Sequence, residues 1–300
     1  MSKIFIKIIF ALVLTFFLVN CKDDSPTEPA LGTGTFVSTT AQNQNVLLEE
    51  YTGVYCSYCP DGHRIADSLA KVHQGKFFHI NIHAGSLSAF YTIPEGEQLR
   101  QAFSITAYPG GVVNRQKSYV YASMGYGDYF TMRGSWKDYS KEMTAKSAYA
   151  NIAAKAEIVG RTLTIKVQIY FTDDSKVSNG ENYVNIVLLQ NNIWGTQSGG
   201  DEYYSAMWND NTQKYRHNNM LRAMITGLNG ESIGANTKGT LYEKIFTYDI
   251  PQKISNEDVV LKDLVVLAFV TEKTPADANT LPSTQSPVVI NVCKSSLSIK

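Results

Sequence analysis

Two cysteines three positions apart, Cys56 and Cys59, carry the clearest chemical signal in this sequence. They follow an apolar run and a turn at Gly53, and Pro60 comes directly after the second cysteine. A pair with this spacing at the start of a helix closes a small disulfide ring, and the helix N-terminus stabilises the thiolate of the first cysteine. The pattern therefore predicts a redox dithiol.

The order of the two cysteines predicts different roles in thiol-disulfide exchange. Cys56 is expected to be the more exposed nucleophile, and Cys59 the more buried thiol that resolves a mixed disulfide. In an exported protein a purely structural disulfide is an alternative. A zinc site is another, but it needs about four ligands, and Cys56, Cys59 and His63 leave only His79 or His83 as a strained fourth. We therefore predict no metal and no other cofactor.

The elements around the pair are predicted to place it between two strands. Residues 46–52 read as a buried strand. Apolar residues then recur at helical spacing until Gly75, and residues 77–83 form a second predicted strand. A helix is predicted over 95–103, and it leads to a proline, Pro109, that stands just before a short apolar strand.

This β-α-β order with its later proline resembles the thioredoxin superfamily. In that family the residue at the position of Pro109 is a cis-proline packed against the dithiol, and cis X-Pro bonds are uncommon. The resemblance implies that the backbone of Tyr108 faces a bound peptide or a partner disulfide. We accordingly assign Tyr58 and Tyr108 to substrate contact, and Pro109 to the catalytic site.

Two further polar residues near the pair have predicted roles that depend on their burial. Glu50 lies six residues before Cys56, which matches the position of a buried thioredoxin carboxylate that helps to deprotonate the resolving cysteine. A solvated carboxylate at the strand end is the alternative, because Glu49 is adjacent and the register is open. His63 lies about one helical turn beyond Cys59, and we expect a solvated helix histidine there rather than a group that tunes a thiol.

The N-terminus has the features of an export signal. Two lysines precede an apolar run over residues 8–19, which is short for a membrane span. The run ends in Leu18-Val19-Asn20-Cys21, which resembles a bacterial lipobox, so we predict a signal peptide over 1–20 and lipidation of Cys21. Acyl chains anchor a protein through about 0.8 kcal/mol per buried CH₂. An ordinary signal peptide ending near Cys21 is the alternative.

Composition bounds the rest of the chain. With 300 residues, 27 basic and 27 acidic side chains and 44% apolar residues, this is a globular protein with room for about two domains. The balanced charge argues against a nucleic-acid partner. Residues 21–45 are rich in Ser, Thr, Pro and Gly and are predicted to be a flexible tether, and residues 46–148 the thioredoxin-like domain.

Residues 149–300 alternate between apolar and polar positions, which is typical of strands. After a predicted helix over 136–146, strands are predicted at 152–159, 162–171, 181–190, 239–249, 261–271 and 288–292. So many strands with little helix predict an antiparallel sandwich of immunoglobulin-like type. The predicted fold class is thus an α/β thioredoxin-like domain followed by an all-β, immunoglobulin-like sandwich.

For each of three segments, two interpretations stay open. The loop over 84–94 either shapes a substrate groove or is a packed crossover. The long connection over 194–234, rich in aromatic and amide side chains, is either a binding surface for peptide or glycan or a bridge between the domains. Cys293 is either a free or intermolecular thiol or a small apolar side chain buried in the last strand.

Nearly the whole chain resembles a known family, the outer-membrane-protein-28-related lipoproteins of Gram-negative bacteria. The resemblance rests on the lipobox ending at Cys21, the run over 48–53 before the cysteine pair, Tyr108-Pro109, and the segment Tyr215-Arg216-His217-Asn218-x-x-Leu221-Arg222. It implies a thioredoxin-like domain joined to a β-rich domain on an outer-membrane lipoprotein. The sequence Lys22-Asp23-Asp24 also resembles a signal for exposure at the cell surface.

Two functions of different classes follow from these observations. The first is a membrane-anchored thiol-disulfide oxidoreductase that acts on the thiols and disulfides of extracytoplasmic proteins and contacts the membrane through lipid on Cys21. The second is a cell-surface binding protein or adhesin that uses the thioredoxin fold as a scaffold, since a fold does not decide a function. Replacing Cys56 by Ser separates the two, because only the oxidoreductase depends on the thiol.

Overall fold

The computed structural model describes residues 31–88, 90–176, 181–273 and 288–300. From Leu31 to Lys300 the chain forms one compact unit. The predicted signal peptide and the lipidation site at Cys21 lie outside the described residues. In the described part of the chain, no helix has both the length and the apolar character needed to cross a membrane.

The protein consists mostly of strands, with a few helices. The helices are α1 Cys59–Val72, α2 Pro94–Ala102, α3 Tyr119–Ser123, α4 Trp136–Ala145 and α5 Gly200–Tyr203, with 3-10 turns at Arg133–Ser135, Ser205–Met207 and Leu261–Asp263. The strands are β1 Val46–Thr52, β2 Phe77–His83, β3 Gly110–Val113, β4 Thr131–Met132, β5 Ala150–Val159, β6 Thr162–Phe171, β7 Glu181–Gln190, β8 Ile193–Gly195, β9 Trp208–Asn209, β10 Lys214–His217, β11 Met220–Met224, β12 Glu231–Gly234, β13 Leu241–Asp249, β14 Lys253–Ile254, β15 Glu257–Asp258, β16 Leu264–Lys273, β17 Val288–Lys294 and β18 Ser296–Ile299.

One mixed sheet contains strands from both halves of the chain. Its order is β17-β16-β7-β11-β2-β1-β3-β4, with β12 beside β7. β1 and β2 are parallel, and β11 joins β2 where Met220 pairs with Asn81. The sheet therefore continues across the predicted domain boundary at residues 148 and 149, and the division into two domains stays a prediction. Smaller sheets have the orders β13-β6-β5-β18, β8-β10-β9 and β14-β15.

Apolar cores lie on both faces of the mixed sheet. Between β5–β6 and β7–β16, side chains such as Ile165, Phe171 and Ile186 are fully buried. Burying a large apolar side chain contributes about 1.5–3 kcal/mol, so this interface is a main source of stability. The helices α1 and α4 cover β1 and β3 through a separate core that includes Leu69 and Trp136.

Strand β1 lies inside the sheet and is buried along its whole length. Side chains alternate between the faces of a strand, so Leu48 and Glu50 face α1. Leu47, Glu49 and Tyr51 face the opposite core, which β16 and α2 also line. This alternation places two glutamates in two different buried environments.

Part of the predicted flexible tether is instead packed against the second sheet. Gln168 donates a hydrogen bond from Nε2 to the carbonyl of Gly34 at 2.9 Å, and its Oε1 accepts one from the Phe36 amide at 2.7 Å. Asn151 donates to the carbonyls of Ser38 and Thr40 at 2.8 and 2.7 Å. The tether prediction is wrong for residues 31–45, because polar side chains on β5 and β6 satisfy the backbone of this segment.

Candidate active site

Cys56 and Cys59 form a disulfide where the chain passes from β1 into α1, with Cα atoms 5.4 Å apart. The helix begins at Cys59, so Cys56 lies in the turn before it. The Cys56 amide donates to the Gly53 carbonyl at 3.0 Å, and the Cys59 amide donates to the Cys56 carbonyl at 3.2 Å. This turn holds both sulfurs at the helix N-terminus, where the helix dipole stabilises a thiolate.

The two cysteines differ in burial in the predicted order. Cys56 is 6% exposed and Cys59 is fully buried. An attacking reagent therefore meets Cys56 first, and Cys59 is reached only from within the protein. The nucleophilic and resolving roles of the two thiols stay predictions that this order supports.

The predicted cis-proline is present, because the Tyr108–Pro109 peptide bond is cis. Pro109 is buried against α1 at Gly62, where an added Cβ would come within 3.0 Å of the proline ring. The Tyr108 side chain turns toward the loop at Gly85 and toward Arg100 on α2. The contact of the Tyr108 backbone with a peptide stays a prediction.

Glu50 is completely buried beneath α1. Neither carboxyl oxygen has a hydrogen-bond partner among the described residues. A Cβ at Gly62 would collide with Glu50 Oε1, so the glycine makes room for the carboxyl group. Burial, together with the carboxylates of Asp67 and Asp61, raises the pKa of Glu50 well above its ordinary value. The alternative of a solvated carboxylate at the strand end is wrong.

His63 is also buried, which corrects the expectation of a solvated helix histidine. Its Nε2 lies 3.0 Å from Thr52 Oγ1, and its Nδ1 lies 3.0 Å from the hydroxyl of Tyr215. Nε2 is also 3.9 Å from Glu50 Oε1. Burial lowers the pKa of His63 to about 3, and the neighbouring His217 adds to this effect. His63 is therefore neutral at neutral pH, so its contact with Glu50 is not an ion pair.

A segment from the second half of the chain covers the disulfide turn. We call residues 193–217 the cover segment. Gln197 donates from Nε2 to the carbonyls of Cys56 and Gly53 at 3.0 and 3.2 Å, and the Ser198 amide donates to the Val54 carbonyl at 2.8 Å. Gly199 has a φ of 70° and lies so close to the Ser57 carbonyl that a side chain would collide with it. Part of the long connection is therefore folded back onto the cysteine turn, as the bridging interpretation requires, and its use as a binding surface stays a prediction.

The cover segment also contacts the exposed side of α1. The ring of Tyr203 lies 5.1 Å from that of Tyr58, centroid to centroid. Tyr204 donates its hydroxyl proton to Asp67 Oδ2 at 2.9 Å, and Asp67 Oδ1 lies 3.2 Å from Nε2 of His79. Burial works to raise the pKa of Asp67, but the hydrogen bonds from His79 and Tyr204 outweigh it and lower the pKa.

Buried aromatic rings continue from His63 into the interior. The ring of Tyr215 lies 5.0 Å from that of His217, which in turn lies 5.2 Å from His83 and 5.1 Å from Tyr91. Burial lowers the pKa of His217 to about 4, and it lowers that of His83 as well. Neither ring nitrogen of His83 has a hydrogen-bond partner in the described part of the chain. These imidazoles are therefore held neutral.

Exposed aromatic rings flank Cys56 in the sequence and lie in the neighbouring loop. Tyr55, Tyr58 and Phe90 are each at least half exposed, and Tyr55 contacts Phe90 edge to face at 6.3 Å. The guanidinium of Arg133 lies 5.7 Å from the centre of the Tyr58 ring. The position of Tyr58 is consistent with its predicted contact to substrate. The loop over 84–94 is packed at Ser88 and Tyr91, and its exposed residues in the described part of the chain are Ser86, Leu87, Phe90 and Pro94.

Two further predictions concern metal and the remaining thiol. Within the described ranges, no group of three or more His, Cys, Asp or Glu side chains is arranged to hold a metal ion. Cys293 is a free, partly buried thiol in β17, and burial raises its pKa to about 12. It packs against the core between the sheets, so it behaves as the small apolar side chain of the second interpretation.

Sequence reasoning missed Gln197, Tyr215 and the burial of His63. The contact between Tyr215 and His63 joins residues 152 positions apart, and no local pattern reports such a distance. The available signal was the excess of aromatic and amide side chains in the long connection, which is more than a solvated loop requires.

Comparisons with known proteins place the chain in a family. The model of the family described as Outer membrane protein Omp28 matches residues 96–297. No curated protein matches the sequence. Among solved structures, HBP35 of Porphyromonas gingivalis matches with a TM-score of 0.61 at 18% identity, over 85% of this chain and 76% of that chain. A domain of the outer membrane lipoprotein Omp28 from the same organism matches with a TM-score of 0.30 at 18% identity, over 51% of this chain and 91% of that domain.

The family match begins after the cysteine pair, so it includes Tyr108, Pro109 and the cover segment but not Cys56 or Cys59. The likeness to HBP35 shows a shared fold. The predicted resemblance and the predicted localisation at the outer membrane are both confirmed by the family match. The chain therefore belongs to the Omp28 family of outer membrane proteins.

Proposed function

We propose that this protein is a membrane-anchored thiol-disulfide oxidoreductase, which exchanges disulfides with extracytoplasmic proteins through Cys56 and Cys59. The finer fold assignment belongs to the same proposal, with a thioredoxin-like domain over 46–148 and an immunoglobulin-like sandwich over 149–300. Lipid on Cys21 would hold the protein at the outer membrane, and the sequence after it favours the cell surface.

One observation carries the proposal. A disulfide at the N-terminus of α1 lies with a cis-proline, Pro109, and an unpaired buried carboxyl group, Glu50, against the same helix. A structural disulfide needs neither of these groups. Exchange chemistry uses both, since it needs a backbone edge to align a substrate and a group that accepts the proton of the buried thiol.

The reaction balances without any further reagent. The Cys56 thiolate attacks a substrate disulfide, a mixed disulfide forms, and the second substrate sulfur leaves as a thiolate. Cys59 then transfers its proton toward Glu50 and attacks the Cys56 sulfur, which releases the first substrate sulfur. Two electrons pass from the protein dithiol to the substrate, and the reverse sequence oxidises a substrate dithiol.

The test is turnover of a model protein that contains disulfides, in glutathione buffer. We expect the full chain to accelerate disulfide exchange, Cys56→Ser to abolish the acceleration, and Cys293→Ser to leave it unchanged as the matched control. Equal rates with the wild-type protein and with Cys56→Ser would contradict the proposal.

A surface binding protein is the second candidate, and the exposed rings of Tyr55, Tyr58 and Phe90 favour it. These rings lie around a disulfide turn that Gln197 holds closed. A binder should lose its ligand when Tyr55 and Phe90 are replaced by Ala, and it should keep the ligand in Cys56→Ser. The oxidoreductase predicts that Cys56→Ser removes the activity whether or not the rings are intact.

A further inference from the structure

We propose that Tyr215 is a positioning residue for the dithiol, which acts through His63 on Glu50 and so sets the pH at which Cys59 attacks. The inference rests on the proposed function and deepens it. It assigns to the cover segment a role in the chemistry of a cysteine pair that lies far away in the sequence.

The contacts form a continuous buried row. Tyr215, on β10, is 1% exposed, and its hydroxyl lies 3.0 Å from Nδ1 of His63. The other nitrogen of His63 faces Thr52 Oγ1 at 3.0 Å and Glu50 Oε1 at 3.9 Å. Glu50 lies against α1 at Gly62, and Gly62 is one helical turn from Cys59, on the same side of the helix.

The ionisation of Tyr215 and His63 determines which atoms in this row carry protons. Burial, and then the nearby Glu50, raise the pKa of Tyr215, so its hydroxyl keeps its proton and acts as a donor. His63 is neutral and carries a single N–H. When Tyr215 donates to Nδ1, the imidazole proton must be on Nε2, which is the nitrogen that faces Thr52 and Glu50.

This arrangement places the N–H group on Nε2, where it bonds Thr52 Oγ1 at 3.0 Å and lies 3.9 Å from Glu50 Oε1, without adding a net charge. A dipole of this orientation favours the ionised carboxylate in a buried site, where electrostatic interactions are stronger than in water. It therefore helps Glu50 to lose its proton to solvent at lower pH and to take one from Cys59. Without the Tyr215 hydroxyl, the imidazole is free to adopt the opposite tautomer.

Other charged and titratable groups also act on this row. Asp67, Asp61 and Arg133 act on Glu50. His63 is influenced by His217, Asp67 and His79. All of these groups are retained when Tyr215 is replaced by Phe, which removes one hydroxyl and keeps the ring. A changed pH profile in that variant therefore reports the hydroxyl itself.

The experiment follows Cys56 and Cys59 of the reduced full chain with 5,5′-dithiobis(2-nitrobenzoate) in stopped flow, and Cys293→Ser identifies any release that comes from the free thiol of β17. Cys56 attacks the reagent disulfide and releases one thionitrobenzoate. Cys59 then attacks the Cys56 sulfur and releases the second, so the rate of the second phase reports Cys59. The rate is measured from pH 5 to pH 9 in the wild-type protein, in Tyr215→Phe, and in Tyr204→Phe, which removes a hydroxyl of the cover segment that bonds Asp67 instead.

We expect the midpoint of the second phase to move upward by about one pH unit in Tyr215→Phe and to stay in place in Tyr204→Phe. In a His63→Asn background the midpoint should already be raised, and adding Tyr215→Phe should move it no further, because the two residues act as one unit. The second comparison keeps the test valid if one variant is unstable.

The possible failures are distinguishable. Profiles of Tyr215→Phe and the wild-type protein that overlay, with a normal second phase in both, would overturn this inference and leave the proposed function intact. A wild-type protein without a second phase would instead contradict the proposed function and this inference together. If the shifts in the pH midpoint of Tyr215→Phe and His63→Asn add in the double variant, Tyr215 does not act through His63.

Discussion

Two adjacent glutamates on β1 occupy opposite faces of the sheet and have opposite surroundings. Glu49 is buried against Arg115, whose Nε and Nη2 donate to its two carboxyl oxygens at 2.8 and 2.7 Å. The guanidinium of Arg115 also lies between the rings of Phe103 and Phe269, at 5.4 and 5.2 Å. Glu50, one residue later, has no hydrogen-bond partner among the described residues.

Glu49 is thus a structural carboxylate with a matched partner, whereas Glu50 is buried without a hydrogen-bond partner among the described residues. A buried charge is tolerated when a partner with good geometry compensates it, whereas a buried carboxyl group without a partner keeps its proton more strongly. The ion pair with Arg115 accounts for the burial of Glu49. No such pair accounts for the burial of Glu50, which faces α1, the helix that begins at the dithiol.

Breaking the buried ion pair between Glu49 and Arg115 is expected to change stability most. Replacing Arg115 by Met leaves the buried Glu49 without its partner, so we expect unfolding in urea to show a loss of about 3–5 kcal/mol in stability. Arg64→Met is the matched control, since Arg64 pairs with Asp61 at the surface and should cost less than about 1 kcal/mol. Equal losses of stability in the two variants would show that the Glu49–Arg115 pair stabilises the fold no more than a surface ion pair does.

The buried histidines His63 and His217 predict a loss of stability in acid. His63 and His217 have pKa values of about 3 and about 4 in the fold, below the ordinary 6.5. As the pH falls from about 6.5 to about 4, the unfolded chain takes up protons that the folded chain does not, so stability decreases, by about 3 kcal/mol for His217 alone. Glu50 has the opposite sign, because its raised pKa favours the folded state at low pH and this contribution is lost as the pH rises.

Urea midpoints at pH 7, 6, 5 and 4 measure this dependence. The slope of stability against pH should become smaller in His217→Gln, which removes one of the depressed imidazoles. A wild-type curve that is flat between pH 6.5 and pH 4 would show that the histidines are not held neutral.

Replacing each glutamate by glutamine in turn separates the effects of the two carboxyl groups on rate and on stability. Glu50→Gln should slow the attack of Cys59 on the order of 10²-fold, because the proton acceptor is lost, while stability is kept or slightly increased. Glu49→Gln should do the reverse, with the rate kept and stability lost. Stopped-flow thiol release and urea unfolding of the same two proteins measure both properties. Slower attack by Cys59 in Glu49→Gln would contradict the assignment of Glu50 as the proton acceptor.

A smaller effect is expected at the point where α1 approaches Glu50. Gly62→Ala places a methyl group against Glu50 Oε1 and the Pro109 ring, and such overpacking costs about 1–3 kcal/mol. Gly134→Ala is the control, since an added Cβ there meets nothing within 4 Å. Thermal unfolding of both variants measures the difference. If Gly62→Ala is as stable as Gly134→Ala, the carboxyl group is not held as tightly as its burial indicates.

Much of the local structure was predictable because periodicity is a local property. β2, β6 and β7 have the predicted bounds, and α4 differs from its prediction only at its last residue. The cysteine pair was predictable for a similar reason, since it is a short motif that follows a predicted strand. The cis-proline followed from the resemblance to the thioredoxin superfamily, and the burial of Glu50 was one of two alternatives that the sequence left open.

The remaining features depend on contacts that a local pattern does not contain. The mixed sheet joins β2 to β11 through Met220, so the strands of the two predicted domains meet where the sequence offers only a long connection. The burial of His63 depends on Tyr215 in the same way. Without that covering segment, the polar residue at this helix position would face water, which is what the local pattern predicts.

The reduction potential of the Cys56–Cys59 pair, measured by equilibration with glutathione and dithiothreitol buffers followed by thiol trapping, tests the proposed exchange reaction. We expect a potential between about −120 and −270 mV, the range of known exchange catalysts. A potential below about −300 mV would mark a structural disulfide and would show that the pair is not an exchange catalyst.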